Sequence, residues 1–107
     1  MSQQHLPFVT LVIPFYNEEN SVQVLLREWK DTLAESQIPF QILAIEDGSR
    51  DQTLARLQNA KEEIDIPLHI IEQKNAGHGQ AIFQGHTLAL KSRPQINHWI
   101  LQIDSDR

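Results

Sequence analysis

The stretch Phe8-Val9-Thr10-Leu11-Val12-Ile13 restricts the fold more than any other part of the chain. It is a nearly continuous apolar run closed by Pro14, so it reads as a central strand buried on both faces. Such a strand needs helices on each side of its sheet, and the next segment supplies one. Val22, Leu25, Leu26, Trp29 and Leu33 recur at helical spacing, while Arg27, Glu28, Lys30 and Asp31 take the other faces. Asn17 reads as the N-cap of this helix, with Glu18 and Glu19 in a first turn where the helix dipole favours acids. Ile38-Pro39 ends it.

The alternation then repeats. Phe40 to Ile45 is a second strand, running into Glu46-Asp47-Gly48-Ser49. Ser49 and Gln52 have the spacing of a capping box, which predicts a second helix carrying Leu54, Leu57 and Ile64 on one side. After Ile66-Pro67, Leu68-His69-Ile70-Ile71 is a shorter third strand. Lys74-Asn75-Ala76-Gly77-His78-Gly79-Gln80 is a glycine-bearing turn into a third helix with Ala81, Ile82, Leu88 and Ala89 inward. Arg93-Pro94 and Asn97 mark the loop before Trp99-Ile100-Leu101-Gln102-Ile103, which reads as a buried strand ending in Asp104-Ser105-Asp106. The order β-α-β-α-β-α-β implies right-handed crossovers and a three-layer α/β/α fold around a mainly parallel four-stranded sheet. There is no internal repeat and no low-complexity segment.

At 107 residues the chain makes one small domain, expected over residues 8–107 behind a disordered or extended stretch at 1–7. The formal charge of −5 argues against binding nucleic acid by neutralising its phosphates. Without cysteine, disulfides and thiolate zinc sites are excluded, which fits the cytosol. Met1 to His5 lacks the basic and apolar regions of a signal peptide. No apolar run approaches the ~20 residues that cross a bilayer. A cytoplasmic location is expected, with the cytoplasmic face of a membrane open to a longer parent.

In a parallel sheet, ligands bind beyond the carboxyl ends of the strands. Three of the four loops expected there carry acids: Asn17-Glu18-Glu19, Glu46-Asp47 and Asp104-Ser105-Asp106. Clustered carboxylates repel, and each is disfavoured in its charged form unless a cation or hydrogen-bond donors compensate. A divalent metal with a diphosphate is the simplest compensation, since hard cations take oxygen ligands. Each motif also has an ordinary structural reading. Glu18 and Glu19 suit any helix start, Glu46 to Ser49 suits any turn, and Gly77 and Gly79 could serve only positive φ or close packing. Together, in order and at strand ends, they form a more specific pattern.

These residues resemble the nucleotide-binding half of an inverting family 2 glycosyltransferase of the GT-A fold. The resemblance is carried by Val12 to Glu19, Ile45 to Thr53, Asn75 to Ala81 and Asp104-Ser105-Asp106 as the Asp-x-Asp motif, and it covers the chain from Phe8 onward. It implies a donor-binding domain for a nucleotide-diphospho-sugar, linked to UDP, GDP or dTDP, acting in cell-envelope glycan biosynthesis. By the same resemblance Asp47 hydrogen-bonds the base, and Pro14, Tyr16, Asn17 and Glu18 line the base and ribose pocket. Asp104 faces the ribose and the metal, and Asp106 ligates a Mn²⁺ or Mg²⁺ that bridges the diphosphate. Gly77, His78 and Gly79 lie near the nucleotide and donor sugar. Glu46 stands where the family more often has a second Asp. His78 stands where a small or basic residue is commoner, as a donor to the diphosphate or a structural cap on its loop. The general base is expected after Arg107, so the chain reads as a fragment truncated after Asp-x-Asp and inactive alone. The acceptor would be a hydroxyl or a lipid phosphate.

A dinucleotide-binding domain is the nearest rival, but it requires a glycine-rich first turn, and Pro14 to Glu18 has none. A dehalogenase-type phosphatase would carry its nucleophile after the first strand. A nucleotidyltransferase would begin with a glycine-rich basic loop. The non-enzymatic alternative is a sugar-nucleotide-binding or interaction module without a catalytic half. An uncovered final strand also predicts an exposed apolar edge and self-association through it.

Overall fold

Hydrogen-bond phase along the first strand explains both the sheet and the gap in it. In the computed structural model, which describes residues 7–93 and 97–105, β1 spans Phe8–Phe15. Its odd residues bond towards the second strand: Val9 N–H donates to the Pro39 carbonyl, and Phe15 O accepts from Asp47 N–H. Its even residues bond the other way, Phe8 N–H to Asn97 O and Val12 O from Ile103 N–H. Pro14 falls on this even phase, beyond the last pair Val12↔Gln102. Its missing N–H therefore breaks no ladder bond, which is how a proline sits in a central strand. The strand runs on through Pro14 to Phe15 rather than stopping at Ile13.

The remaining elements are α1 (Val22–Ser36), β2 (Phe40–Glu46), α2 (Thr53–Glu63), β3 (Leu68–Glu72), α3 (His78–Ser92) and β4 (His98–Gln102). All strand pairs are parallel, in the order β3-β2-β1-β4. The sheet grows outward from β1 to β3, and the chain then returns over α3 to lay β4 on the other side of β1. That reversal is a topological switch point between β1 and β4.

Side chains alternate across the sheet. Val9, Leu11, Ile13 and Phe15 of β1, with Ile42 and Ala44 of β2, pack against Val22, Leu25, Leu26 and Leu33 of α1 and Leu57 and Ala60 of α2. Val12, Leu43 and Ile45 face Ala81 and Ala89 of α3. Ile82 and Leu88, expected inward, are only half-buried; the buried stripe of α3 is Ala81, Gly85 and Ala89. A Cβ on Gly85 would stand 2.2 Å from Val12 Cγ1, so the helix approaches the sheet at its central strand.

The two local helix-start readings do not hold. α1 begins five residues after Asn17, with Ser21 at the N-cap and no acid in its first turn. Asn17 instead adopts φ 54, in the left-handed region. Nor does Ser49 cap α2, whose N-cap is Gln52 with no side-chain cap bond. Both residues are drawn away by each other, as described below.

β4 is an edge strand rather than a buried one. Trp99 is 61% exposed and Leu101 42%, because α1 and α2 cover their partners Val9 and Leu11 but not β4. Its start is fixed by a polar chain at the opposite end of the sheet from its acids. Gln41 Nε2 donates to Thr10 Oγ1 (2.9 Å), Thr10 Oγ1 lies 2.6 Å from His98 Nε2, and His98 Nδ1 lies 2.8 Å from the Arg93 carbonyl. A carbonyl only accepts, so Nδ1 carries the proton and the buried Thr10 hydroxyl donates to Nε2.

Two glycines of α3 should respond oppositely to alanine. Gly85→Ala gains helix propensity of about 1 kcal/mol but forces a methyl into stiff, buried Val12, so a net loss of about 1–3 kcal/mol is expected. Gly79→Ala meets nothing within 4 Å and should stabilise by up to about 1 kcal/mol. Urea unfolding midpoints of the two variants check the contrast.

Candidate functional site

Beyond Val12 and Gln102 the strands β1 and β4 separate, and the opening is a cleft of about 420 Å³. Pro14, Phe15, Tyr16, Glu18, Asp47, Asn75, Gly77, His78, Ala81 and Ser105 line it. This volume lies within the range of small-ligand sites, roughly 300–1,000 Å³. Of the residues singled out in the sequence, Pro14, Tyr16, Glu18, Asp47, Gly77 and His78 meet there. Asn17 and Gly79 do not line the cleft. Asp104 stands at its edge, its side chain 64% exposed, with Oδ1 3.9 Å from His78 Nε2 and 3.3 Å from Gln102 Nε2. Asp106 lies outside the described residues. Phe15 and Asn75 belong to the two loops expected there, Pro14 to Glu18 and Asn75 to Gly79, whereas Ala81 and Ser105 were not expected as binding residues; the place of Ser105 between the two acids was the available signal.

The acids of the β2–α2 loop are compensated by protein donors rather than left for a cation. Glu46 is 4% exposed, and its carboxylate accepts from Gly48 N–H (3.2 Å) and Ser49 N–H (2.9 Å), closing the turn on itself. The turn requires glycine at 48, where φ is +71 and a Cβ would meet the Asn75 nitrogen at 2.7 Å. Asp47, 3% exposed, accepts from Gln73 Nε2 (2.8 Å), Ala76 N–H (2.9 Å) and Gly77 N–H (3.1 Å). Of the two compensations expected for clustered acids, a cation or hydrogen-bond donors, these two carboxylates have the donors. Asp51, which carried no expectation, is held in the same way.

The same loop also holds the β1–α1 turn. Asn17 N–H donates to Ser49 Oγ (2.9 Å), and Arg50 N–H donates back to Asn17 Oδ1 (2.8 Å). Glu18 N–H donates to the Thr53 hydroxyl (2.8 Å), which in turn donates to Asp51. Glu19 N–H reaches Asp51 Oδ2 at 3.3 Å, and Thr53 N–H reaches Asp51 Oδ1 at 2.9 Å. Asn17 and Ser49 are thus spent on each other, which is why neither caps a helix. Glu18 lines the cleft, and among the described residues its carboxylate accepts only from Ser21 Oγ, at 3.4 Å.

Desolvation would raise the Asp51 carboxyl, but the Thr53 hydroxyl and the N–H groups of Thr53 and Glu19 outweigh it and hold the group below its ordinary value. Among the described residues no group of three or more His, Asp or Glu side chains is arranged to hold a metal. No helix of the described residues is long and apolar enough to cross a membrane.

Residues 10–107 match the family model described as Glycosyl transferase family 2. The undecaprenyl-phosphate 4-deoxy-4-formamido-L-arabinose transferase of Pseudomonas fluorescens is 38% identical over 86 residues, covering 79% of this chain and 25% of that protein. Its counterpart from Pseudomonas syringae pv. syringae is 37% identical, covering 79% and 26%. Among solved structures, a mannosyltransferase from Pyrobaculum calidifontis in complex with GDP-Man and Mn²⁺ superposes with TM-score 0.65 at 23% identity, over 95% of this chain and 28% of that one. S. aureus TarS 1–349 gives TM-score 0.62 at 25% identity, over 94% and 28%. The chain spans about a quarter of the length of the curated relatives it matches.

The Asp51 clamp gives the site a pH signature. A carboxyl with a depressed folded pKa stabilises the fold above its unfolded value, and that contribution is lost as pH falls through the folded value. Stability should therefore decline below about pH 4, and Asp51→Asn should flatten part of that acid limb. Urea midpoints measured across the acid range in both proteins check it.

Proposed function

The chain belongs to glycosyl transferase family 2, and from that premise we propose that its cleft binds the nucleotide-diphospho part of an activated sugar donor. The observation that carries this is the cleft's position at the β1/β4 switch point of an all-parallel sheet, walled by loops from all four strand ends. Tyr16 and Glu18 form one wall, Asn75, Gly77 and His78 the other, and Ser105 closes the β4 side. These groups orient the nucleotide and shield it from water.

A divalent cation, Mn²⁺ or Mg²⁺, fits the donor set at the edge of the cleft. The Asp104 carboxylate is a hard oxygen ligand whose nearest protein donors, at 3.3 and 3.9 Å, leave it acceptor capacity. Asp106, two residues on in sequence, supplies a second carboxylate. When bound, the cation stabilises negative charge on the departing diphosphate. His78 presents an imidazole nitrogen beside Asp104, where it can donate to a phosphate oxygen.

For the whole protein we propose inverting transfer of the sugar to an acceptor hydroxyl or a lipid-linked phosphate, the latter suggested by the acceptor in the relatives' names. The general base and acceptor pocket are proposed to lie in the part of the relatives' length that this chain does not span. The donor is taken from the cytoplasmic side, at the membrane surface if the acceptor is a lipid.

Titrating the chain calorimetrically with UDP, GDP and dTDP, each with and without Mn²⁺, tests the reading. One of the three should bind only with metal, and Asp104→Ala and Asp106→Ala should each weaken it by about tenfold or more. Metal-independent binding, or none, would sink the proposal.

A further inference from the structure

Ser105 is 7% exposed, yet among the described residues its hydroxyl has no hydrogen-bond partner. No fully buried side-chain oxygen of the described residues is left unpaired. The hydroxyl is therefore the part of Ser105 that stays accessible, and the space it opens on is the cleft. A methyl group would meet the packing equally well, because enclosing a polar group without a partner is costly. The hydroxyl has a use only if something outside the chain pairs with it.

The first turn of α3 lines the same cleft and is also short of partners. Its first intrahelical bond runs from Ala81 N–H to the Gly77 carbonyl at 3.1 Å, and Gly77, at the N-cap, offers no side chain. Gly77 N–H is held by Asp47. The N–H groups of His78, Gly79 and Gln80 have no partner among the described residues. Gly77, His78 and Ala81 line the cleft around them, and the positive end of the helix dipole favours an anion there. The β1 wall is opposite in kind, since the Glu18 carboxylate repels a phosphate and accepts from hydroxyls. Polarity thus runs across the cleft, from an acceptor at Glu18 to donors at Ser105 and α3.

We propose that Ser105 contacts the ligand directly, its hydroxyl and the free N–H groups that open α3 together holding a phosphate oxygen of the nucleotide diphosphate. This rests on the donor-site reading and names groups that receive the phosphate besides the cation. The two contributions are separable, because one is side chain and the other backbone. Proline is tolerated at the first helical position, where it removes an N–H that the helix itself does not use. His78 holds that position, and Gly77 before it has the extended ψ, 162, that a following proline requires. His78→Ala removes the imidazole alone; His78→Pro removes the imidazole and the N–H.

The experiment titrates the full chain, in the presence of Mn²⁺, with UDP, GDP and dTDP, and with the matching nucleosides followed by NMR shifts. For each diphosphate that binds, Ser105→Ala should weaken affinity by about tenfold and leave the nucleoside unchanged. His78→Pro should bind the diphosphate about threefold to tenfold more weakly than His78→Ala. That pair keeps the test open if Ser105→Ala folds poorly. Undiminished diphosphate affinity in Ser105→Ala, or equal weakening of diphosphate and nucleoside, would overturn the assignment. So would equal diphosphate affinity in His78→Ala and His78→Pro. Each of these results, with metal-dependent binding kept in the wild-type chain, leaves the donor-site reading standing. If the folded wild-type chain binds none of the diphosphates, that reading itself falls, and this assignment with it.

Discussion

The site depends on the hydrogen bonds that gather around the segment from Glu46 to Thr53. It leaves the end of β2, a strand paired on both sides, and so begins from a fixed point. Glu46 folds the segment's own turn, Asp47 holds the β3–α3 loop, and Ser49, Asp51 and Thr53 hold the β1–α1 turn. Charge-assisted bonds to backbone N–H groups are the stronger kind, and here they satisfy donors that irregular loops would otherwise leave unpaired near a cleft. Both walls of the opening therefore hang from one central loop. The acids are structural anchors first, and only the faces they leave open are available to a ligand.

The opening between those walls has a separate cause, in the sheet itself. β1 outruns β4 by three residues, from Ile13 to Phe15, and Pro14 takes the phase that would otherwise seek a partner in β4. The sheet thus splits where the topology reverses, without an unsatisfied N–H at the split. Gly85 completes the arrangement on the α3 side. Its missing side chain lets the helix close on Val12, which brings Ala81 to the cleft floor one turn earlier.

Much of this was legible in the sequence, and the boundary of legibility has a physical explanation. Apolar runs and helical spacing are local patterns, so the seven elements, their order and the parallel sheet could be read from residues close in the chain. The first and third loops were recognised for the same reason, since Pro14 to Glu18 and Asn75 to His78 each form one wall from one stretch. Pairings across distance were not legible. Asn17 with Ser49 and Arg50, Glu18 with Thr53, and Asp47 with Ala76 join positions 29 to 35 residues apart. Capping rules look three or four residues ahead, so they assigned Asn17 and Ser49 to helix starts that neither serves. β4 looked buried from its composition, which is that of a core strand, while the expectation that the final strand is uncovered agrees with its place at the sheet edge and the exposure of Trp99 and Leu101. Gly85 gave no signal at all, being one glycine in an otherwise ordinary helix.

The acidic character of the loops needs a finer reading than clustering alone permits. Counting donors separates the carboxylates into two kinds. Glu46, Asp47 and Asp51 each accept two or more protein hydrogen bonds of 3.3 Å or less, and neutralising them requires no ligand. Glu18 and Asp104 are different: their contacts are at 3.3 Å or longer, and each comes from a side chain that can turn away. These two keep lone pairs for something outside the chain, one lining the cleft and the other at its edge beside His78. Uncompensated negative charge at a site otherwise suited to an anionic nucleotide would oppose binding. Under the proposed function a cation would remove that opposition at Asp104, where Asp106 follows in sequence, and Glu18 would be left to accept from neutral hydroxyls and ring edges. The hydrogen-bond pattern thus separates carboxylates that protein donors already hold, Glu46, Asp47 and Asp51, from two that keep acceptor capacity, Glu18 and Asp104.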